Sequence, residues 1–401
     1  MTISSDRGAD RLLALEDAWG AHNYHPLPIV IAHAQGAWVT DVDGRRYLDC
    51  LSAYSALNQG HVHPAILAAF QEQAARVTLT SRAFHNDQLP LFCQELAERC
   101  GLDVVLPMNT GAEAVETAIK AARRWGYEKK GVAADAAEIV VCEGNFHGRT
   151  TTIVGFSSEP DYRKHFGPFA PGFVVVPFGD VDAIRRAITP RTCAVLIEPI
   201  QCEAGIIIPP DGYLRAVADI CREQNVLLLA DEIQTGLGRT GAWFACDHED
   251  VRPDVFILGK ALSGGFYPVS AVVGRRDVME VFTPGSHGST YGGSPLACAV
   301  ARAALKVIDD EDLVARAATL GASLLSALAP LRRGVITDVR GRGLLVGLEL
   351  DRPARPYCEQ LMTRGVLCKE THERVIRLAP PLVTAEADLQ WMVEQLFAVF
   401  A

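Results

Sequence analysis

The sequence has no CxxC pair and no Cys/His cluster at zinc spacing, so no metal site is expected. Its cysteines number 11, an odd count that excludes a complete disulfide framework. Scattered from Cys50 to Cys368, they fit buried, reduced thiols in a cytoplasmic protein. No uncharged apolar run reaches the roughly 18 residues of a membrane span. The opening stretch, MTISSDRGADRLLALEDAWG, lacks a basic region followed by an apolar one, so no secretory signal is expected. Basic residues are not in excess: 38 Lys and Arg face 48 Asp and Glu, for a formal charge of −10. Nucleic acids and anionic membranes require a basic face, so neither is an expected partner. Internal repeats, low-complexity segments and flexible linkers are also missing.

What is present is ordinary in bulk: 49% apolar and 21% charged residues over 401 positions, enough for a large core and more than one domain. From about residue 100, short apolar runs alternate with helix-like segments. The runs are Glu138–Cys142, Phe173–Pro177, Cys193–Ile197, Val226–Ala230, Val255–Leu258 and Val269–Gly274. They show little polar alternation, the signature of strands buried on both faces in a mostly parallel sheet. In Ala112–Trp125, Val115, Ala118, Ile119 and Ala122 fall on one helical face, and Tyr213–Gln224 is similar. The ends read differently. Residues 25–50 carry short strands with a turn at Asp43-Gly44. Beyond about residue 305 come two helical stretches, strands at Val335–Arg340, Leu344–Leu350 and Val375–Leu378, and a last helix near 385–399. The expected organisation is a large α/β domain over 55–305. A smaller α+β domain is expected from 1–54 and 306–401.

Two of the buried strands end on chemistry. Asp231 directly follows Val226–Ala230, and Gly259-Lys260 follows Val255–Leu258. Ligands of open α/β sheets sit at the carboxyl ends of strands, so both side chains face one crevice. Pyridoxal phosphate needs this pair: a Lys for a Schiff base and an Asp against the pyridine nitrogen. An Asp–Lys ion pair at a sheet edge is the plain alternative. Asn109-Thr110-Gly111-Ala112 leads straight into a helix, where free N–H groups and the dipole suit a phosphate, or where the residues simply cap the helix. The segments His287–Gly293 and Gly144–Arg149 are further glycine-containing loops. In the latter, Phe146 could stack on a planar ring or anchor the loop, and Arg149 could hold a carboxylate in fork geometry. His147 reads as structural.

At these residues the chain resembles the class III (ω-amino acid) aminotransferases, of the aspartate-aminotransferase fold (fold type I). The likeness runs nearly end to end. It is carried by 22–28 (HNYHPLP), 52–56 (SAYSA), 79–84 (LTSRAF), 106–111 (LPMNTG), 144–150, 198–201 (EPIQ), 231–236 (DEIQTG), 258–265 (LGKALSGG) and 369–381. The Asp231 and Lys260 segments specify the family, and the tyrosine segments point to its ornithine-using branch. The resemblance implies that Lys260 is the Schiff-base lysine and Asp231 the pyridinium partner. Phe146 and Ile233 would pack on the two ring faces, and Gln234 would meet the phenolic oxygen. Gly111 and Ala112 would cradle the phosphate, with Thr290 supplied by a second subunit of a homodimer. Arg149 would clamp a substrate carboxylate, Tyr24 and Tyr54 would position the donor, and Glu203 and Arg377 would form a switch pair. The family usually has Gly at Cys202 and Asn at Ser294, and some members have Trp at His147. The implied reaction passes the terminal amine of ornithine to 2-oxoglutarate, within arginine and proline metabolism. Acetylornithine and 4-aminobutyrate remain the alternative donors. The expected partners are these small amino and oxo acids.

Overall fold

The computed structural model describes residues 8–400. The six apolar runs become strands, joined by a seventh, Val104–Met108, which the hydrophobic pattern did not single out. The order across the sheet is Val104–Met108, Ser270–Gly274, Val255–Leu258, Leu227–Asp231, Thr192–Ile197, Glu138–Cys142, Phe173–Val176. Neighbours run parallel except at Ser270–Gly274, which is antiparallel to both of its own. Every residue of Thr192–Ile197 and Leu227–Asp231 is buried, because helices cover both faces. Val104–Met108 contains Pro107, which cannot donate to a ladder; the strand lies at the sheet edge, where proline is tolerated.

The helix Gly111–Trp125 packs Ala114, Val115, Ala118, Ile119 and Ala122 onto this sheet. Its start is a reciprocal capping box. The Thr110 hydroxyl accepts from the Glu113 N–H at 3.3 Å, and the Glu113 carboxylate accepts from the Thr110 N–H at 2.9 Å. Such a cap contributes about 1 kcal/mol and sets the first turn rigidly beside the strand ends. Tyr213–Glu223 and Pro295–Asp310 bury their apolar sides in the other main cluster of the core.

Two four-stranded sheets complete the fold among the described residues. In one, Ile31–Gln35, Trp38–Asp41 and Arg46–Asp49 form a meander that Val366–Leu367 joins in parallel. The other orders Ile336–Arg342, Leu345–Leu350, Val375–Leu378 and Lys369–Thr371 in antiparallel pairs. The first of the two C-terminal helical stretches begins earlier than its pattern suggested, at Pro295, where Ser294 serves as N-cap. Leu313–Leu331 is long and apolar enough to cross a membrane by length and composition. Its buried residues Leu313, Ala317, Leu320, Leu324 and Leu328 nevertheless share one face, which packs on Ile336–Arg342 and Glu386–Phe400. All eleven cysteines are free thiols, and only Cys93 is less than fully buried.

Candidate active site

Asp231 ends one central strand, and Lys260 follows its parallel neighbour after Gly259. Their side chains line a cavity of about 180 Å³ together with Gly111, Ala112, Phe146, His147, Gly148, Glu198, Ile233 and Gln234. A larger, open cleft of about 800 Å³ lies between Pro64–Ala74, Leu89–Cys100 and Pro295–Asp310. Most of its charges are already paired, as Arg302 with Glu95, Arg99 with Asp309 and Lys306 with Asp310, so the chemistry is assigned to the smaller cavity.

Lys260 sits at φ +43°, a left-handed conformation that costs a non-glycine residue roughly 1–3 kcal/mol. Among the described residues, no hydrogen bond or ion pair ties down its Nζ. Burial pushes the amine from its usual 10.5 down to about 8, so near neutral pH a fraction is uncharged and able to react. Asp231 Oδ1 accepts from the Ile233 N–H at 3.1 Å, and Oδ2 lies 2.6 Å from His147 Nδ1. With a carboxylate as acceptor, Nδ1 is the donor. His147 therefore lines the cavity and holds its key carboxylate, a role its sequence position did not announce. Its Nε2 is buried without a partner. Glu198 was also missed. It accepts from the Phe146 N–H at 2.9 Å. Burial, and then the charge of Asp231, raise its carboxyl well above the ordinary range.

At the mouth, Arg377 is 1% exposed and pairs with Glu203 at 2.9 Å. It also donates to the Cys202 carbonyl at 2.9 Å, Thr371 Oγ1 at 3.1 Å and Gln234 Oε1 at 3.3 Å. Gln234 in turn donates to Glu203 at 3.2 Å. Burial alone would raise the Glu203 carboxyl; Arg377 reverses this and holds it below the usual value. Cys202, beside Glu203, is fully buried and leaves this pair intact.

Tyr54 lies 5.4 Å from the Arg377 guanidinium, measured to the ring centroid. It rides on a left-handed turn, with φ between +46° and +68° at Ser52, Ala53, Tyr54 and Ser55. Left-handed backbone costs L-residues roughly 1–2 kcal/mol each. The turn is held by Asp49, which accepts from the Leu51 and Ser52 N–H groups at 2.9 Å, and by Ser52 Oγ donating to the Ala379 carbonyl at 2.6 Å. Tyr24 is 70% exposed, its ring centroid 5.9 Å from Lys369 Nζ. Arg149 is exposed and stacks on Tyr162. Thr290 is exposed and does not line its own chain's cavity.

The residues fit pyridoxal phosphate on structural grounds. A Cβ added at Gly111 would lie 2.9 Å from Ile233 Cδ1, and one at Gly148, at φ +125°, 2.9 Å from Ala112 Cβ. Glycine at both positions keeps the backbone open beside the helix N-terminus. An untethered, partly neutral lysine and a carboxylate braced by histidine complete the donor set.

The class III aminotransferase family (Aminotransferase class-III) matches residues 19–400. The chain belongs to that family, whose members depend on pyridoxal phosphate. Among its relatives, an ornithine aminotransferase of Bacillus cereus (strain 03BB102) is 58% identical over 97% of this chain and 98% of its own length. One of Bacillus subtilis (strain 168) is 59% identical over 94% of each. Among solved structures, the ornithine aminotransferase of Toxoplasma gondii, described with partial PLP occupancy at its active site, superposes at TM-score 0.97. It is 44% identical, over 98% of this chain and 94% of that one. The acetylornithine aminotransferase of Elizabethkingia anophelis gives TM-score 0.90 at 46% identity, over 98% of this chain and 99% of that one.

Proposed function

We propose that the protein transfers the terminal amine of L-ornithine to 2-oxoglutarate, giving glutamate 5-semialdehyde, which cyclises to a pyrroline carboxylate, and glutamate. The names of the relatives support this reading, and the observation that carries it is the Glu203–Arg377 pair. Ornithine must offer its δ-amine, with its α-carboxylate far from the reacting carbon. Glutamate must offer its α-amine, with its α-carboxylate near. An unpaired Arg377 would seize ornithine the wrong way round; one neutralised by Glu203 does not. When a dicarboxylate arrives, Glu203 swings aside, Arg377 takes the near carboxylate and Arg149 the distal one.

Pyridoxal phosphate, when bound, supplies the electron sink for the carbanion beside the transferred nitrogen. Lys260 would hold it covalently and Asp231 would keep its ring nitrogen protonated. Phe146 and Ile233 would flank the ring, and Gln234 would bond its phenolic oxygen. The Gly111 and Ala112 amides would cradle its phosphate, with Thr290 from the second subunit of a homodimer. The Lys260 amine would also serve as the base that takes the proton from the substrate carbon bearing the transferred nitrogen. Tyr54 and Tyr24 bond the α-substituents of ornithine.

In this reading 55–305 forms the cofactor-binding part and 1–54 with 306–401 the smaller one, an organisation supported by the pairing of Arg46–Asp49 with Val366–Leu367. The setting is cytoplasmic, in arginine and proline metabolism. The test compares ornithine, N-acetylornithine, 4-aminobutyrate and lysine as donors to 2-oxoglutarate. Ornithine should show the highest kcat/KM; a lead for N-acetylornithine or 4-aminobutyrate would reassign the donor within the same family.

A further inference from the structure

Among the described residues Arg149 meets no carboxylate and lies against two aromatic rings. Its guanidinium carbon lies 3.7 Å from the ring centroid of Tyr162 and 5.5 Å from that of Phe146. The two rings meet edge to face, their centroids 6.1 Å apart and their planes at 80°. Tyr162 stands half-buried on the short helix Pro160–Arg163. Burial raises its phenol above the usual range, and the positive charge of Arg149 opposes that rise.

An exposed arginine on a long stem samples many orientations. A ring face close beneath the guanidinium restrains that plane without neutralising its charge. Stacking also leaves the in-plane N–H groups free, and these are the groups that fork onto a carboxylate. A carboxylate partner in place of the ring would restrain Arg149 equally well but would compete with substrate. We infer that Tyr162 is a positioning residue for substrate recognition: its ring is the platform that presents Arg149 to the substrate carboxylate distant from the reacting nitrogen. This rests on the reading of Arg149 as a carboxylate clamp. It assigns the work to the ring face and none to the hydroxyl, and it ties the clamp through Phe146 to the face of the cofactor pocket.

The test uses the holoenzyme and glutarate, a dicarboxylate that cannot react, with binding measured by calorimetry beside KM and kcat for 2-oxoglutarate. Tyr162→Leu should weaken glutarate and raise the KM for 2-oxoglutarate about two- to fivefold, the range of a cation–ring contact at an exposed arginine, with kcat unchanged within error. Tyr162→Ser, which keeps a hydroxyl and loses the ring, should behave alike, while Tyr162→Phe should match the parent. Arg149→Ala separates the two layers of the argument. If it weakens glutarate while Tyr162→Leu and Tyr162→Ser bind normally, the platform is overturned and the clamp stands. If Arg149→Ala binds glutarate normally, the clamp itself falls and the platform with it. A loss in Tyr162→Phe with retention in Tyr162→Ser would give the role to the hydroxyl and reject the inference.

Discussion

At the floor of the cavity the charged groups are buried at strand ends; at its mouth they face rings or one another, Arg377 buried within Val375–Leu378 and Glu203 and Arg149 on loops. Asp231 is 5% exposed, gripped by a backbone amide and an imidazole. Arg149 is exposed and lies against aromatic rings, and Tyr24 is 70% exposed. The floor serves one tightly held group, so rigid preorganisation costs nothing in range. On the proposed reading the mouth takes an amino acid by its far end and a dicarboxylate by its near end, and its partners would be exchanged: an ion pair that would open and a guanidinium restrained without being neutralised.

If the floor is rigid and single-purpose, damage there should be nearly total. Lys260→Ala should lower turnover by at least about a thousandfold, since positioned proton transfer alone is worth roughly 10²–10⁴. It should also remove the visible absorbance of bound cofactor, and near-normal turnover would sink the assignment. Asp231→Ala should cost about a hundredfold while the protein stays folded by circular dichroism, on the scale of a lost electrostatic contact in a dry site. Full activity there would mean that another acid does the work.

Damage at the mouth should change ratios more than totals. Glu203→Ala leaves Arg377 permanently unpaired. The glutamate half-reaction should gain on the ornithine half-reaction by about tenfold, within the usual span of coupling between groups. Ornithine should also begin to lose its α-amine, seen as an α-keto acid product. Single-turnover spectra with each donor decide it; an unchanged ratio rejects the switch.

The floor carries a pH signature as well. Lys260 is protonated below about pH 8 and neutral above, because burial disfavours its charge. Only the neutral amine attacks a carbonyl. Cofactor uptake by apoenzyme, followed by absorbance, should therefore quicken about tenfold from pH 7 to pH 9. A flat profile would show that Lys260 titrates elsewhere. The smallest effect expected is at Tyr54. Tyr54→Ile should lower the ornithine-to-4-aminobutyrate ratio of kcat/KM about fivefold, because a site built to bond a polar substituent favours donors that carry one. A fixed ratio would remove Tyr54 from donor choice.

Asp231 and Lys260 were legible from the chain alone because the strands before them are buried on both faces. Such strands are written as unbroken Val, Ile and Leu runs whose carboxyl ends can be located by eye. The cap that frames the Gly111 and Ala112 amides was equally local, four residues that satisfy one another. Pro107 hid its strand, since proline reads against a ladder until the edge position is known. Tyr54 was visible as a residue, but its left-handed turn was not. That conformation is unfavourable locally and is held by Asp49 and by the distant Ala379 carbonyl.

The sequence by itself determined the alternation of strands and helices, and with it which strand ends carry a lysine and a carboxylate. These follow from backbone periodicity and burial within a few residues. Only the tertiary structure decided that His147 braces Asp231 from 84 positions away and that Tyr162 lies beneath Arg149; the Arg377–Glu203 pair, 174 positions apart, was implied by the family resemblance and owes its geometry to packing. Each of these is a contact between side chains on different elements. Its energy depends on distances that no local pattern encodes and that packing alone sets.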